Sequence, residues 1–90
     1  MLSVELAPRA LHDLRQLPAE ISKRILDDLE LLHALPWPGP PKVKRLHGTP
    51  YSRLRTGEFR SIVVREGNRV TVLRVIASKD LDRILKTLRV

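Results

Sequence analysis

The chain has 90 residues, a net charge of +7 and no cysteine, and each property excludes classes of protein. Its length allows one domain with a single core, which we place at residues 1–90. Without cysteine there is no disulfide framework or thiolate zinc site, and three separated histidines lack metal-ligand spacing, so we expect no metal and no other cofactor. No apolar run approaches the ~18 residues of a membrane span and the amino terminus lacks a basic start, so we expect a cytoplasmic protein without a membrane partner.

The positive charge is concentrated in the second half of the chain. Residues 1–40 carry four Lys/Arg and six Asp/Glu, a net charge of −2, whereas residues 41–90 carry thirteen and four, a net charge of +9. The second half is therefore the candidate for binding a polyanion. The alternative is a basic surface that is only solvated.

The first half predicts one strand and two helices. Alternation in Ser3–Leu6 is typical of a strand, and Pro8 suits the first turn of a helix that runs to Pro18. A second helix restarts at Ala19, with an apolar stripe of Ile21, Ile25, Leu29 and Leu32 that is widened by Leu26, Leu31 and Leu35.

A stiff connector separates the helical half from the sheet half. Residues 36–41 contain four prolines, which exclude helix and central strand. We expect Trp37 in this segment to cover the edge of the core rather than to stack on a base. Residues 42–48 follow as a basic loop.

The second half predicts three antiparallel strands, at residues 51–55, 59–65 and 69–76, with turns at Gly57-Glu58 and Gly67-Asn68. With the first strand they complete a four-stranded sheet, so the fold class is α+β. A last helix is predicted with Ser78 as its cap and with Lys86 and Arg89 in its last turn. We expect its stripe of Leu81, Ile84, Leu85 and Leu88 to pack on its own domain, although a partner protein is an alternative cover.

The hairpin at residues 51–60 holds three arginines, the only tyrosine and the only phenylalanine. A two-residue turn at Gly57-Glu58 places Arg55 opposite Arg60 and puts Tyr51, Arg53, Arg55 and Arg60 on one face, whereas a three-residue turn breaks that alignment. Guanidinium groups on neighbouring strands repel each other unless an anion lies among them. The hairpin is therefore a candidate phosphate site.

This order of elements, together with particular residues, resembles the RelE/ParE toxin superfamily over nearly the whole chain. The residues that carry the resemblance are Ala10, Leu14, Leu17-Pro18, Lys44, Leu46, Gly48, Tyr51-x-Arg53-Leu-Arg55, Gly57-x-Phe-Arg60 and Val72-Leu-Arg-Val75. The resemblance implies a RelE-like single domain that acts as the toxin of a type II toxin–antitoxin pair. It commonly implies a metal-independent endoribonuclease that cuts messenger RNA on the ribosome, with a cognate antitoxin protein as partner.

The resemblance also implies roles for individual residues. Arg53 and Arg60 match positions that contact the scissile phosphate, and Arg55 matches a frequent arginine that is partly structural. Flanking phosphates would be held by Lys42, Lys44 and Arg45, and Tyr51 would stack on a base or take part in proton transfer.

The carboxy-terminal segment departs from the family pattern. Ribonuclease members often have His-Arg-Arg-x-x-Tyr after the last strand, where this chain has Ala77-Ser-Lys-Asp-Leu-Asp82, so that only Lys79 keeps a positive charge. Candidates for proton transfer elsewhere are Tyr51, His47 and Glu58, and a histidine has the most suitable pKa near neutral pH.

Two further functions stay open beside the ribonuclease. A ParE-like toxin that poisons DNA gyrase needs no acid or base, and a degenerate family member would bind its antitoxin and cut nothing. The weak set of proton-transfer residues is the feature that separates these readings.

Overall fold

Prolines mark the starts of both helices of the first half. The computed structural model describes residues 1–88. In it α1 (Pro8–Arg15) starts at a proline, which is favourable because the first N–H groups of a helix have no carbonyl partner within the helix. Pro18 precedes α2 (Ala19–Leu29). The second helix is shorter than predicted, because the chain tightens into a 3₁₀ turn at Glu30–His33 before the connector.

The apolar stripe of α2 is also narrower than predicted. Ile25, Leu29 and the following Leu32 are buried, whereas Leu26, Leu31 and Leu35, which we expected to widen the stripe, are 42%, 44% and 52% exposed. Trp37 packs against the edge of the core, as predicted, and its Nε1 donates a hydrogen bond to the Leu32 carbonyl oxygen at 3.1 Å.

The sheet has five strands rather than the predicted four. Their order is β1 (Ser3–Leu6), β5 (Arg69–Ala77), β4 (Phe59–Glu66), β3 (Tyr51–Thr56) and β2 (Val43–Arg45), with β1 parallel to β5 and the other pairs antiparallel. The fifth strand, β2, forms inside the segment that we predicted as a basic loop. Val43 is buried opposite Leu54, and this contact fixes the register of the strand. The basic residues beside Val43 gave no alternation from which a strand could be predicted.

Both hairpin turns have two residues, as predicted. Thr56 pairs with Phe59 and Glu66 pairs with Arg69, which leaves Gly57-Glu58 and Gly67-Asn68 as the turns. The first turn residue has a positive φ in each case, +56° at Gly57 and +61° at Gly67, where glycine carries no steric cost.

The core lies on both faces of the sheet. One face packs against α1 and α2 through a large cluster that includes Ala10, Leu14, Ile25, Leu54 and Val63. The other face packs against α3 (Leu81–Thr87) through a smaller cluster of Ile62, Ile76 and Ile84, which Leu81, Leu85 and Leu88 join. The last helix therefore covers its own domain, as predicted.

The start of the last helix differs from the prediction. Ser78 lies in a 3₁₀ turn (Ser78–Asp80) ahead of α3, and its side chain makes no capping hydrogen bond. Its backbone N–H instead donates to the Glu58 carbonyl oxygen at 2.8 Å, which ties this turn to the β3–β4 hairpin. Arg89, which we predicted in the last helical turn, lies outside the described residues. Within residues 1–88 no helix is long and apolar enough to cross a membrane.

Candidate nucleic-acid interface

Four cationic side chains share the α3 face of the sheet, at the edge away from β1. The register places Lys44 opposite Arg53, and Arg55 opposite Arg60, with Arg53 and Arg55 two residues apart on β3. Residues two apart on a strand point to the same face and lie about 6.6 Å apart. We call Lys44, Arg53, Arg55 and Arg60 the cationic cluster.

The Arg55–Arg60 pair is the close kind of antiparallel pair. The Arg55 N–H donates to the Lys42 carbonyl oxygen at 2.8 Å, so the backbone polar groups of Arg55 point to β2 rather than to β4. Opposed residues that do not exchange hydrogen bonds have Cα atoms about 4.5 Å apart, with side chains closer than in the bonded kind. The side chains of Arg55 and Arg60 therefore extend from neighbouring backbone positions on the same face of the sheet.

Backbone carbonyls hold two of these arginines. Arg60 Nη1 donates to the carbonyl oxygens of Gly57 and Phe59, each at 2.8 Å. Arg53 Nη1 donates to the Pro41 carbonyl oxygen at 3.3 Å. Within residues 1–88, Nε and Nη2 of Arg60 donate no hydrogen bond, so three N–H groups remain, two of them on the Nε–Nη2 edge of its guanidinium.

Among residues 1–88, the cationic cluster forms no ion pair with a carboxylate. Six ion pairs form within residues 1–88, and none includes a residue of the cluster. Burial lowers the pKa of Arg60, and the charges of Arg53 and Arg55 lower it further, while the charge of Glu58 raises it. Arginine side chains keep their charge in proteins, so the members of the cluster repel one another. A bound anion would reduce this repulsion and stabilise the cluster.

Lys42 has a different environment from the other predicted cations. Its Nζ lies 2.6 Å from Asp28 Oδ2, which also accepts a hydrogen bond from Thr56 Oγ1 at 2.6 Å. Burial by itself would raise the pKa of Asp28, but hydrogen bonds from Lys42 and Thr56, and the charges of Lys42 and Arg24, outweigh it and lower the pKa. The structure thus engages Lys42 in a partly buried ion pair rather than in the cluster.

Arg45 and His47 lie away from the cluster. Arg45 is opposite Ser52, on the face of the sheet that Val43 and Leu54 share, and it donates to the Thr49 carbonyl oxygen. His47 is exposed in the loop that joins β2 to the Tyr51 end of β3. Tyr51 is four residues from Arg55, or about 13 Å along the strand, so His47 lies at the opposite end of the hairpin from Arg60.

Tyr51 shares the face of the cluster, as predicted, but its hydroxyl has a structural partner. The hydroxyl donates to the Leu88 carbonyl oxygen at 2.8 Å, and the ring packs on the smaller hydrophobic core of Ile62, Ile76 and Ile84. Tyr51 therefore anchors the end of α3 to the sheet.

Lys79 and Glu58 lie at the same end of the sheet as Arg60. The bond from the Ser78 N–H to the Glu58 carbonyl joins the turn that carries Lys79 to the β3–β4 hairpin. Lys79 is exposed there, as is Glu58. Among Tyr51, His47 and Glu58, Glu58 is the residue whose charge acts on Arg60.

The sequence reasoning missed two residues of this region. Arg24 of α2 reaches the hairpin turn, because its Nη2 lies 3.6 Å from the position of a Cβ at Gly57. Asp28, one helical turn later, holds Lys42 and Thr56. Neither residue belongs to the apolar stripe of α2, and only the packing of α2 on β3 brings them to the hairpin. No group of three or more potential metal-ligating side chains occurs within residues 1–88.

Comparison with known proteins gives likeness in structure rather than in sequence. No protein-family model matches the chain, and no curated protein matches it. Among solved structures, a chain of the RelB–RelE antitoxin–toxin complex of Methanococcus jannaschii is 25% identical with a TM-score of 0.67, over 91% of this chain and 95% of that one. A chain of the archaeal RelE–RelB complex of Pyrococcus horikoshii is 23% identical with a TM-score of 0.72, over 84% and 93%.

A chromosomal ParDE system from P. aeruginosa is also similar, at 14% identity and a TM-score of 0.70, over 86% of this chain and 96% of that one. RelE-containing and ParE-containing complexes thus match the same fold to a similar degree. The chain therefore has the RelE-like fold that the resemblance in its sequence implied.

Proposed function

We propose that the protein is the toxin of a type II toxin–antitoxin pair and an endoribonuclease of the metal-independent kind that the resemblance implies. The observation that carries this proposal is the cationic cluster, in which no carboxylate within residues 1–88 pairs with the four cations. An RNA phosphodiester supplies the missing negative charge. The fold supports the toxin role, because the similar structures are toxin–antitoxin complexes.

In the proposed reaction, a ribose 2′-hydroxyl attacks the adjacent phosphorus and the bond from phosphorus to the 5′ oxygen breaks. Negative charge grows on the non-bridging oxygens, where the Nε and Nη2 edge of Arg60 and the guanidinium of Arg53 stabilise it. The two bonds from Arg60 to backbone carbonyls hold its guanidinium in place before RNA arrives. This preorganisation lowers the cost of orienting the group during the reaction.

We assign the acceptance of the 2′-hydroxyl proton to Glu58. Its carboxylate is exposed in the turn beside Arg60 and acts electrostatically on that residue, whereas the Tyr51 hydroxyl is bonded to Leu88 and His47 is at the far end of the hairpin. The leaving 5′ oxygen takes its proton from water. Lys44, Arg55 and Lys79 bind neighbouring phosphates of the strand.

The proposed protein partner is an antitoxin with an acidic segment that lies across the cationic cluster. Such a segment supplies negative charge that no ion pair within residues 1–88 gives the cluster. The target would be messenger RNA on the ribosome, and the antitoxin would compete with that RNA for the same cations.

A second candidate function is poisoning of DNA gyrase. The observation in its favour is that the Tyr51 hydroxyl is bonded within the fold, since a gyrase-binding protein needs no proton-transfer group. Inactivity beyond antitoxin binding is the remaining alternative from the sequence.

Induced expression of the wild type beside Arg53→Ala and Arg60→Ala separates these functions. The ribonuclease predicts growth arrest with new transcript ends that disappear in both variants. Arrest with DNA breaks and intact transcripts would refute the ribonuclease in favour of gyrase poisoning. Absence of arrest at confirmed expression of folded protein would leave antitoxin binding alone.

A further inference from the structure

The two arginines at the centre of the cationic cluster donate to three backbone carbonyls, and two of these, those of Gly57 and Pro41, lie outside the strands. Arg60 donates to the Gly57 oxygen at 2.8 Å, and Arg53 donates to the Pro41 oxygen at 3.3 Å. Gly57 is a turn residue and Pro41 precedes a three-residue strand, so neither carbonyl lies within a long regular element. The β2–β3 pairing joins the two segments through the backbone, and a side-chain contact from α2 joins them as well.

One carboxylate oxygen on α2 joins the residues next to both carbonyls. Thr56, which precedes Gly57, donates its hydroxyl to Asp28 Oδ2 at 2.6 Å. Lys42, which follows Pro41, donates to the same oxygen at 2.6 Å. The Arg55 N–H also donates to the Lys42 carbonyl at 2.8 Å, so Lys42 is joined to β3 by a backbone bond and to α2 by its side chain.

We propose that Asp28 is a positioning residue for the cationic cluster: through Thr56 and Lys42, its carboxylate sets the places of the carbonyls that orient Arg60 and Arg53. The importance of that orientation for RNA cleavage rests on the proposed function, but the structural claim does not. Asp28 is well placed for this role, because its side chain is 23% exposed and its pKa is lowered, so it stays ionised at neutral pH.

Substitution of Asp28 changes RNA binding in opposite directions depending on whether charge or arginine orientation matters. Asp28→Asn removes a negative charge close to the cluster and releases the Lys42 ammonium, and both changes should strengthen RNA binding if charge alone matters. If Asp28 orients the arginines, the same substitution weakens binding because their guanidinium groups lose a fixed geometry.

The experiment compares Asp28→Asn with Asp13→Asn in the full-length protein. Asp13 is a matched control, because it also lies on a helix and accepts hydrogen bonds from a basic side chain and a second donor, Arg74 at 2.8 Å and the Val75 N–H at 2.9 Å. Both substitutions change the net charge by one. The first measurement is the side-chain Nε–Hε NMR signals of Arg53 and Arg60, identified by their loss in Arg53→Ala and Arg60→Ala, without RNA.

We expect Asp28→Asn to move both signals towards those of an exposed arginine, and Asp13→Asn to leave them in place. The second measurement is the affinity for a fluorescent single-stranded RNA oligonucleotide, which should fall by about tenfold in Asp28→Asn, the equivalent of one hydrogen bond, and stay level or rise in Asp13→Asn. Unchanged arginine signals together with equal or tighter RNA binding in Asp28→Asn would overturn the proposal. Moved signals in a protein whose wild type binds no RNA would refute the proposed function and leave the positioning role standing.

Two milder variants test the same role if Asp28→Asn does not fold. Thr56→Val removes only the bond on the Gly57 side and should move the Arg60 signal more than the Arg53 signal. Lys42→Met removes only the bond on the Pro41 side and should have the reverse effect. If both variants fold and leave both signals unchanged, Asp28 does not position the cluster.

Discussion

Truncation of Arg60 gives the sharpest test of the cationic cluster, because the chain contains a matched control on the same strand. Arg60 and Arg65 both lie on β4, and each folds back to the carbonyl of a turn glycine at 2.8 Å, Gly57 and Gly67 respectively. Arg65 lies at the opposite end of β4, beside the β4–β5 turn. The variants Arg60→Ala and Arg65→Ala therefore lose equal charge, and each loses a bond to a turn carbonyl, while Arg60→Ala also loses the bond to Phe59.

The expected difference between them follows from the donors that remain on Arg60. Its Nη1 is occupied by two carbonyls, which leaves the Nε and Nη2 edge for a two-point contact with a phosphate. A hydrogen bond to a charged group contributes about 2 kcal/mol, so loss of this contact should weaken RNA binding roughly 30-fold. One lost phosphate contact on a single strand should also reduce the slope of log affinity against log salt by about 0.7.

Fluorescence anisotropy with a short single-stranded RNA, titrated at several salt concentrations, measures both quantities. Arg65→Ala should bind within about twofold of the wild type, since a solvated surface charge contributes little at this distance and ionic strength. Arg60→Lys should fall between the wild type and Arg60→Ala, because lysine keeps the charge and loses the two-point geometry. Equal loss of affinity in Arg60→Ala and Arg65→Ala would show that general charge, rather than the cationic cluster, binds the RNA.

Three further predictions concern single residues. Glu58→Gln should slow single-turnover RNA cleavage about 100-fold without weakening RNA binding, and an unchanged rate would remove Glu58 as the proton acceptor. Tyr51→Phe should lower the free energy of unfolding by about 1 kcal/mol in a denaturant titration through loss of the bond to Leu88, and a large loss of cleavage at equal RNA affinity would instead give its hydroxyl a catalytic role. Because folding lowers the pKa of Asp28 below its ordinary 3.8, its contribution to stability is present above that value and lost as the pH falls through the folded pKa; Asp28→Asn should flatten this part of the stability profile, and an unaltered acid limb would contradict the assignment.

The sequence predicted the strands of the meander and the face of Arg53, Arg55 and Arg60 because both depend on local rules. A two-residue turn with glycine fixes the register of its hairpin, and the register fixes which side chains share a face. The short strand β2 was missed because three residues, two of them basic, give no alternation to detect. Its discovery adds Lys44 to the cluster at a defined place opposite Arg53.

The side-chain contacts around the cluster could not be predicted from the sequence for a different reason. The bonds from Lys42 and Thr56 to Asp28 join residues 14 and 28 positions apart, and the bond from Tyr51 to Leu88 spans 37 positions. Such contacts depend on how helices dock on the sheet, which no periodicity encodes. The sequence pattern therefore predicted which cations share a face of the sheet. That Lys42 pairs with Asp28 and that the Tyr51 hydroxyl bonds to Leu88 could be seen only in the folded structure.

The docking of the helices also gives the charge asymmetry of the sequence a spatial meaning. The first 40 residues, with a net charge of −2, supply α1 and α2, which pack on one face of the sheet, whereas the cationic cluster lies on the other. Two acidic side chains of that first half, Asp13 and Asp28, are used within the fold to bind Arg74 and Lys42. These two carboxylates are thus already paired with other cations, and a polyanion approaching the protein meets an electrostatic field that favours the face where the arginines are.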